Sequence, residues 1–208
     1  MNAIMKKTAF ILSAAGLIVG LSSCIMEDRI VEFVVHEGTC EEFIEYSTNA
    51  TFVTPVTVDY ADEINRALED NDISREDMVT ARVVSATYEV TQFSHAHDWT
   101  IGGSVTIERT DIGGSPEVLF EYPSQSIADA LGHVTRVALN PDGVAVINQA
   151  LDDFIAGGAS GHPVFIIRVN NESVTPMPSV SDPIAFLWRA CITVHIVTKR
   201  DAEVPDPF

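Results

Sequence analysis

The sequence predicts a mainly β protein, an antiparallel β-sandwich with one or two packed helices. Three observations point there: period-two alternation recurs along the chain, helical periodicity is confined to two short windows, and Gly, Pro and Asn punctuate the runs. Alternation of this kind marks a sheet with one buried and one polar face. Many such strands with few helices stack as two layers. The alternative is an α+β domain with a single antiparallel sheet.

Taken in order, residues 30–36 place Val31, Phe33 and Val35 on one face and Glu32 and His36 on the other, and Gly38 is expected to end the run. Residues 43–58 are rich in β-branched and aromatic side chains, with interruptions at Asn49 and Pro55. A helix is expected at about 59–70, where Ile64 and Leu68 stand one turn apart, and Ser74 with Asp77 can cap a further short turn. Residues 79–93 form a long Val, Thr and Tyr run. In 99–109, Ile101, Val105 and Ile107 are expected inward, against Thr100, Ser104, Thr106 and Glu108 outward. Ile112-Gly113-Gly114-Ser115 then makes a turn, and 118–122 and 134–139 are shorter strands. The best helix is 141–156: Asn140 is its N-cap, Pro141 its first residue, Ile147, Leu151, Phe154 and Ile155 its apolar stripe, and Gly157-Gly158 its stop. A strand at 164–169 precedes the strongest one, in which Phe186, Trp188, Ala190, Ile192, Val194 and Ile196 share a parity. Strands of this number and length suit an Ig-like or similar sandwich.

The N-terminus is of another kind. Lys6 and Lys7 precede an apolar stretch from Ala9 to Leu21, too short to span a bilayer, as in a secretory signal. The stretch ends Leu21-Ser22-Ser23-Cys24, which resembles the lipobox of bacterial lipoproteins: an aliphatic residue and two small ones before a cysteine. The resemblance covers these four positions and the signal ahead of them. It implies lipidation of Cys24 by diacylglycerol, with palmitate among the expected acyl chains, and cleavage that makes Cys24 the new N-terminus. The expected organisation is a signal peptide at 1–23, a lipidated tether at 24–30, one β-rich domain at 31–200 and an extended acidic tail at 201–208. No Asp follows Cys24 directly, so the inner-membrane retention signal of enteric bacteria is missing. The acidic pair Glu27-Asp28 resembles the surface-export signal of Bacteroidetes lipoproteins. The expected address is thus the cell envelope, at the outer membrane, periplasmic or surface-exposed.

Composition bounds the partners. Beyond residue 23 the chain carries 10 basic against 30 acidic residues, a net charge of −20 with His neutral. Nucleic acid is excluded, because phosphate binding needs Lys and Arg to release counterions. The expected partners are the membrane, through the lipid, and an envelope protein complex or a glycan. Two cysteines besides Cys24, Cys40 and Cys191, suggest a disulfide in an exported domain, tying the first strand region to the last. Two buried free thiols are the alternative.

Candidates for chemistry are few. His95 and His97 would point the same way on a strand, and with Asp98 they offer a zinc site for a metal-dependent hydrolase. They resemble in part the histidine cluster of metallo-β-lactamases, but there the carboxylate lies two residues beyond the second histidine. The plain reading is a polar hairpin. Asp70, Asp72 and Glu76 are acids of the kind calcium uses, yet Arg75 and Ala81 stand where an EF-hand needs Gly and Glu. Trp99, Trp188, Tyr88 and Tyr122 are candidates for a carbohydrate-binding face, with Trp99 expected at the surface and Trp188 in the core. No catalytic residue and no resident cofactor is nominated. The expectation is an envelope lipoprotein that binds, adheres or serves as an accessory module; the alternatives are the hydrolase and a calcium- or glycan-dependent surface protein.

Overall fold

The computed structural model describes residues 30–93, 97–157 and 164–201. The signal, Cys24, His95 and the tail beyond Asp201 lie outside the described residues. Eight strands form two four-stranded antiparallel sheets among these residues. The first contains β1 (Ile30–Ser47), β8 (Ile184–Asp201), β3 (Met78–Phe93) and β6 (Thr135–Val137), in that order across the sheet. The second contains β2 (Phe52–Asp59), β7 (Val164–Thr175), β4 (Thr100–Arg109) and β5 (Glu117–Ser126). This is the predicted sandwich; the single-sheet alternative is set aside. Among the described residues three helices join it: α1 (Tyr60–Asp70), α2 (Ile127–Ala130) and α3 (Pro141–Ala156), with a 3-10 turn at Arg75–Asp77.

Inward residues of both sheets make one core. Phe43 and Trp188 stack with centroids 4.8 Å apart, and Ile101, Val105 and Ile107 face them from the second sheet. Burying such side chains contributes roughly 1.5–3 kcal/mol each. The parity expected of β8 holds, with Phe186, Trp188, Ile192 and Ile196 buried.

Local signals set the helices. Asn140 Oδ1 accepts from Asp142 N at 2.9 Å, Pro141 opens α3, and Gly157 closes it at φ 73°. Helix α3 then closes one side of the sandwich. Asn148 Oδ1 accepts from the edge amide of Val83 at 3.0 Å, and Gly143 presses on the backbone of Val118 and Leu119 in β5. The buried guanidinium of Arg109, at the end of β4, binds Asp153 of α3 at 2.6 Å and Asp111 through two donors. That pairing holds Asp111 below the usual carboxylate range, Arg109 being the first cause.

Four details differ from expectation. Gly38 does not end a strand: it stands opposite Thr193 inside β1, which runs without a break. Pro55 interrupts nothing, because β2 is an edge strand and an edge tolerates a residue without an N–H. Ser104 is buried, and β4 changes register beside it, between Gly102 and Gly103. Trp99 is fully buried, packed edge-on against Phe93.

Candidate functional site

The polar centre of the molecule lies between the sheets. Phe43, Glu45 and Ser47 share the inward parity of β1, so the sequence places a carboxylate in the core. Glu45 is 1% exposed. Its Oε1 accepts from Trp188 Nε1 at 3.0 Å; its Oε2 accepts from Thr54 Oγ1 at 2.6 Å and Asn171 Nδ2 at 3.3 Å. Asn171 in turn accepts from the Tyr122 hydroxyl at 2.8 Å, which also donates to the Asn170 carbonyl at 3.0 Å. Burial pushes the Glu45 carboxyl above its ordinary value, and the three donors oppose that only in part. Tyr122 is pushed up by burial and by the Glu45 charge. The network therefore links both sheets through five strands, β1 and β8 of the first and β2, β5 and β7 of the second.

Glycine makes room for it. A Cβ on Gly103 would come within 2.6 Å of the Tyr122 hydroxyl and 1.9 Å of the Asn170 carbonyl. Beside the network lies a cavity of about 30 Å³, lined by Tyr88, Tyr122, Gln125, Asn171 and Trp188 among others. That is room for about one or two waters. The bonds from Thr54 and Asn171 to Glu45 run across the interior from one sheet to the other.

The residues singled out from sequence are scattered. Cys40 and Cys191 face each other in the β1–β8 ladder and form the disulfide, with S–S at 2.07 Å. Asp98 is occupied: Oδ2 accepts from Ser126 Oγ at 2.5 Å and Oδ1 from Ala128 N at 3.0 Å, which caps α2. His97 is exposed. Asp70, Asp72 and Glu76 sit exposed around the end of α1, where Asp72 takes a φ of 53° in the turn. Among the described residues no group of three or more His, Cys, Asp or Glu side chains could hold a metal ion. The proposed aromatic face is not at the surface: Trp99, Trp188, Tyr88 and Tyr122 are all buried. Trp99 is buried because the preceding strand and α2 fold over it, and Ile127 N donates to its carbonyl at 2.9 Å.

Two further recesses lie among the described residues. An apolar cavity of about 60 Å³ lies between α1, α3 and the first sheet, lined by Ile64, Ala67, Ala81, Ala150 and Ile196 among others. A small-molecule site is typically about 300 Å³ or more, so this is a packing void. An open groove of about 930 Å³ runs beside Gly102 and Pro123, with Glu121 and Glu172 at its walls. Ser104 donates to Glu172 there at 2.8 Å. No helix among the described residues is long and apolar enough to cross a membrane.

No protein-family model and no curated protein matches the chain. Among solved structures, the chain is similar to one in a structure of infectious bursal disease virus, Gt strain, at 11% identity and a TM-score of 0.29. The match covers 93% of this chain and 43% of the viral one, so the chain spans less than half the viral chain's length.

Proposed function

We propose that the chain is a lipid-anchored protein of a bacterial cell envelope, whose sandwich serves binding, adhesion or an accessory role in a larger complex. Acyl chains on Cys24 would hold it at the outer membrane, facing the periplasm or the surface. The observation that carries this reading is the Cys40–Cys191 bridge. Structural disulfides persist outside the reducing cytoplasm, and export to such a compartment is what the lipobox-like Leu21-Ser22-Ser23-Cys24 would supply. Two or three acyl chains hold stably at roughly 0.8 kcal/mol per buried methylene, so the domain itself need not touch lipid. Five residues separate Cys24 from Ile30, a leash of at most about 20 Å. For a binding role, the support is apolar area left in water: Ile44, Tyr46, Met177 and Val180 are each more than half exposed.

Mass spectrometry of the protein from its native host tests the address. The expected mass lacks residues 1–23, carries acyl chains on Cys24, and gains two hydrogens on reduction. A water-soluble form retaining Met1, with unmodified Cys24, would overturn the reading.

A further inference from the structure

The two sheets have four edge strands, and three are protected. β2 contains Pro55, which has no N–H to offer. β5 is bridged by Leu139, receives the Asn140 amide on its Leu119 carbonyl at 2.8 Å, and is backed by α3. β6 is only three residues long, and beyond it the side chain of Asn148 takes the exposed amide of β3. Devices of this sort stop sheet edges from recruiting other chains. β1 has neither a proline nor a covering segment among the described residues, and its charges are all acidic. It is 18 residues long, contains no Pro, Lys or Arg, and no described residue pairs with its outer edge.

The disulfide fixes which groups that edge presents. Cys40 and Cys191 stand with Cα atoms 4.0 Å apart, the close spacing of a non-hydrogen-bonded antiparallel pair. The N–H and C=O of Cys40 therefore point away from β8, as do those of Glu42, Ile44 and Tyr46 at the same parity. Side chains of these residues emerge on the solvent face, where Ile44 is 71% and Tyr46 65% exposed. A row of backbone donors and acceptors flanked by two bare apolar side chains is complementary to one thing, an extended strand.

We propose that the Cys40–Tyr46 edge of β1 binds an extended segment of a partner protein as an added antiparallel strand. Charge selects the partner. β1 carries Glu32, Glu37, Glu41, Glu42 and Glu45 with no Lys or Arg, in a chain of net charge −20 beyond residue 23, so a second copy would set acid against acid. The segment that fits has apolar residues opposite Ile44 and Tyr46 and a basic one opposite Glu42. Hydrogen bonds from its main chain supply affinity and those side chains supply choice. This deepens the binding role proposed above, but it stands on the edge alone, and the lipid measurement does not bear on it.

The probe is a short capped, fluorescent peptide that alternates threonine with valine, valine and lysine, so that lysine meets Glu42 in antiparallel register. Anisotropy with the full chain in non-ionic detergent should show saturable binding. Ile44→Pro removes one outward N–H without touching the β8 ladder, and should weaken binding about tenfold or more at an unchanged melting temperature. Should that variant fold poorly, Ile44→Lys keeps the backbone and must weaken binding in the same direction. Replacing the peptide's lysine with glutamate should also weaken it. Absence of binding to the native chain, or binding by both Ile44 variants as tight as the native chain's, would overturn the proposal. So would a dimer in sedimentation that Ile44→Pro dissolves, because the edge would then belong to a second copy.

Discussion

A glutamate with three donors in a sandwich core makes a sharp residue-scale prediction. Glu45 has a folded pKa raised above its ordinary 4.5 by burial. A raised carboxyl favours the protonated native state, so its stabilisation is complete below about pH 4.5 and is lost as pH rises through the folded pKa. At neutral pH the buried carboxylate is a net cost. Glu45→Gln should then be at least as stable as the native chain at pH 7, since Gln still accepts from Trp188 and can donate to Thr54. Glu45→Ala should lose about 1–3 kcal/mol, because the Trp188, Thr54 and Asn171 donors are left without their acceptor. Urea denaturation across pH 4 to 8 reads both, the other carboxylates cancelling in the difference. If Glu45→Gln follows the native pH profile throughout, the assignment of charge and burial at this residue is wrong. The network escapes sequence reading for a physical reason: in β1 the apolar-looking parity, Ile44 and Tyr46, faces water, while Glu45 faces the core. The signal that pointed to it was Trp188, a buried-parity indole whose N–H needs an acceptor.

Helix α3 shows, at the scale of an element, why some pieces are legible and others are not. Its ends are set by Asn140, Pro141 and Gly157, whose effects are local, so the predicted and observed spans coincide. Strand β8 is legible because alternation over many residues leaves one way to bury it. The break expected at Gly38 fails because the β8 ladder on one side holds the strand through it. α2 was missed because a four-residue helix has no period to read; Asp98, distant in sequence, caps it. Within α3, Gly143 reverses an ordinary rule. Gly→Ala inside a helix normally gains about 1 kcal/mol. Here the new Cβ would lie 2.4 Å from the Val118 carbonyl oxygen and 2.6 Å from the Leu119 Cα, so α3 must lift off β5. Gly143→Ala should therefore destabilise the chain, by about 1–3 kcal/mol as overpacking does. A higher urea midpoint for that variant would mean the helix does not press on the strand as described.

Over the whole molecule, stability is unevenly shared, and the disulfide decides where. β8 is a central strand, paired to β1 on one side and β3 on the other, whereas β1 has only β8. The bridge between Cys40 and Cys191 closes a loop with a sequence separation of 151, which a chain-entropy argument values at about 5 kcal/mol. Removing it with Cys40→Ser and Cys191→Ser together lowers global stability and also loosens β1, which pairs along one side only. Two results are expected. The urea midpoint falls, and native-state hydrogen exchange shows β1 amides opening well before those of β8 and β3, as a separate low-energy unit. The amides to follow are those of Thr39, Glu41 and Phe43, which the β8 ladder protects in the bridged chain; Cys40 and Ile44 face the open edge and start unprotected. Simultaneous loss of protection in β1 and β8 would show that the ladder alone binds them into one unit, and that the covalent link adds nothing local to the edge it borders.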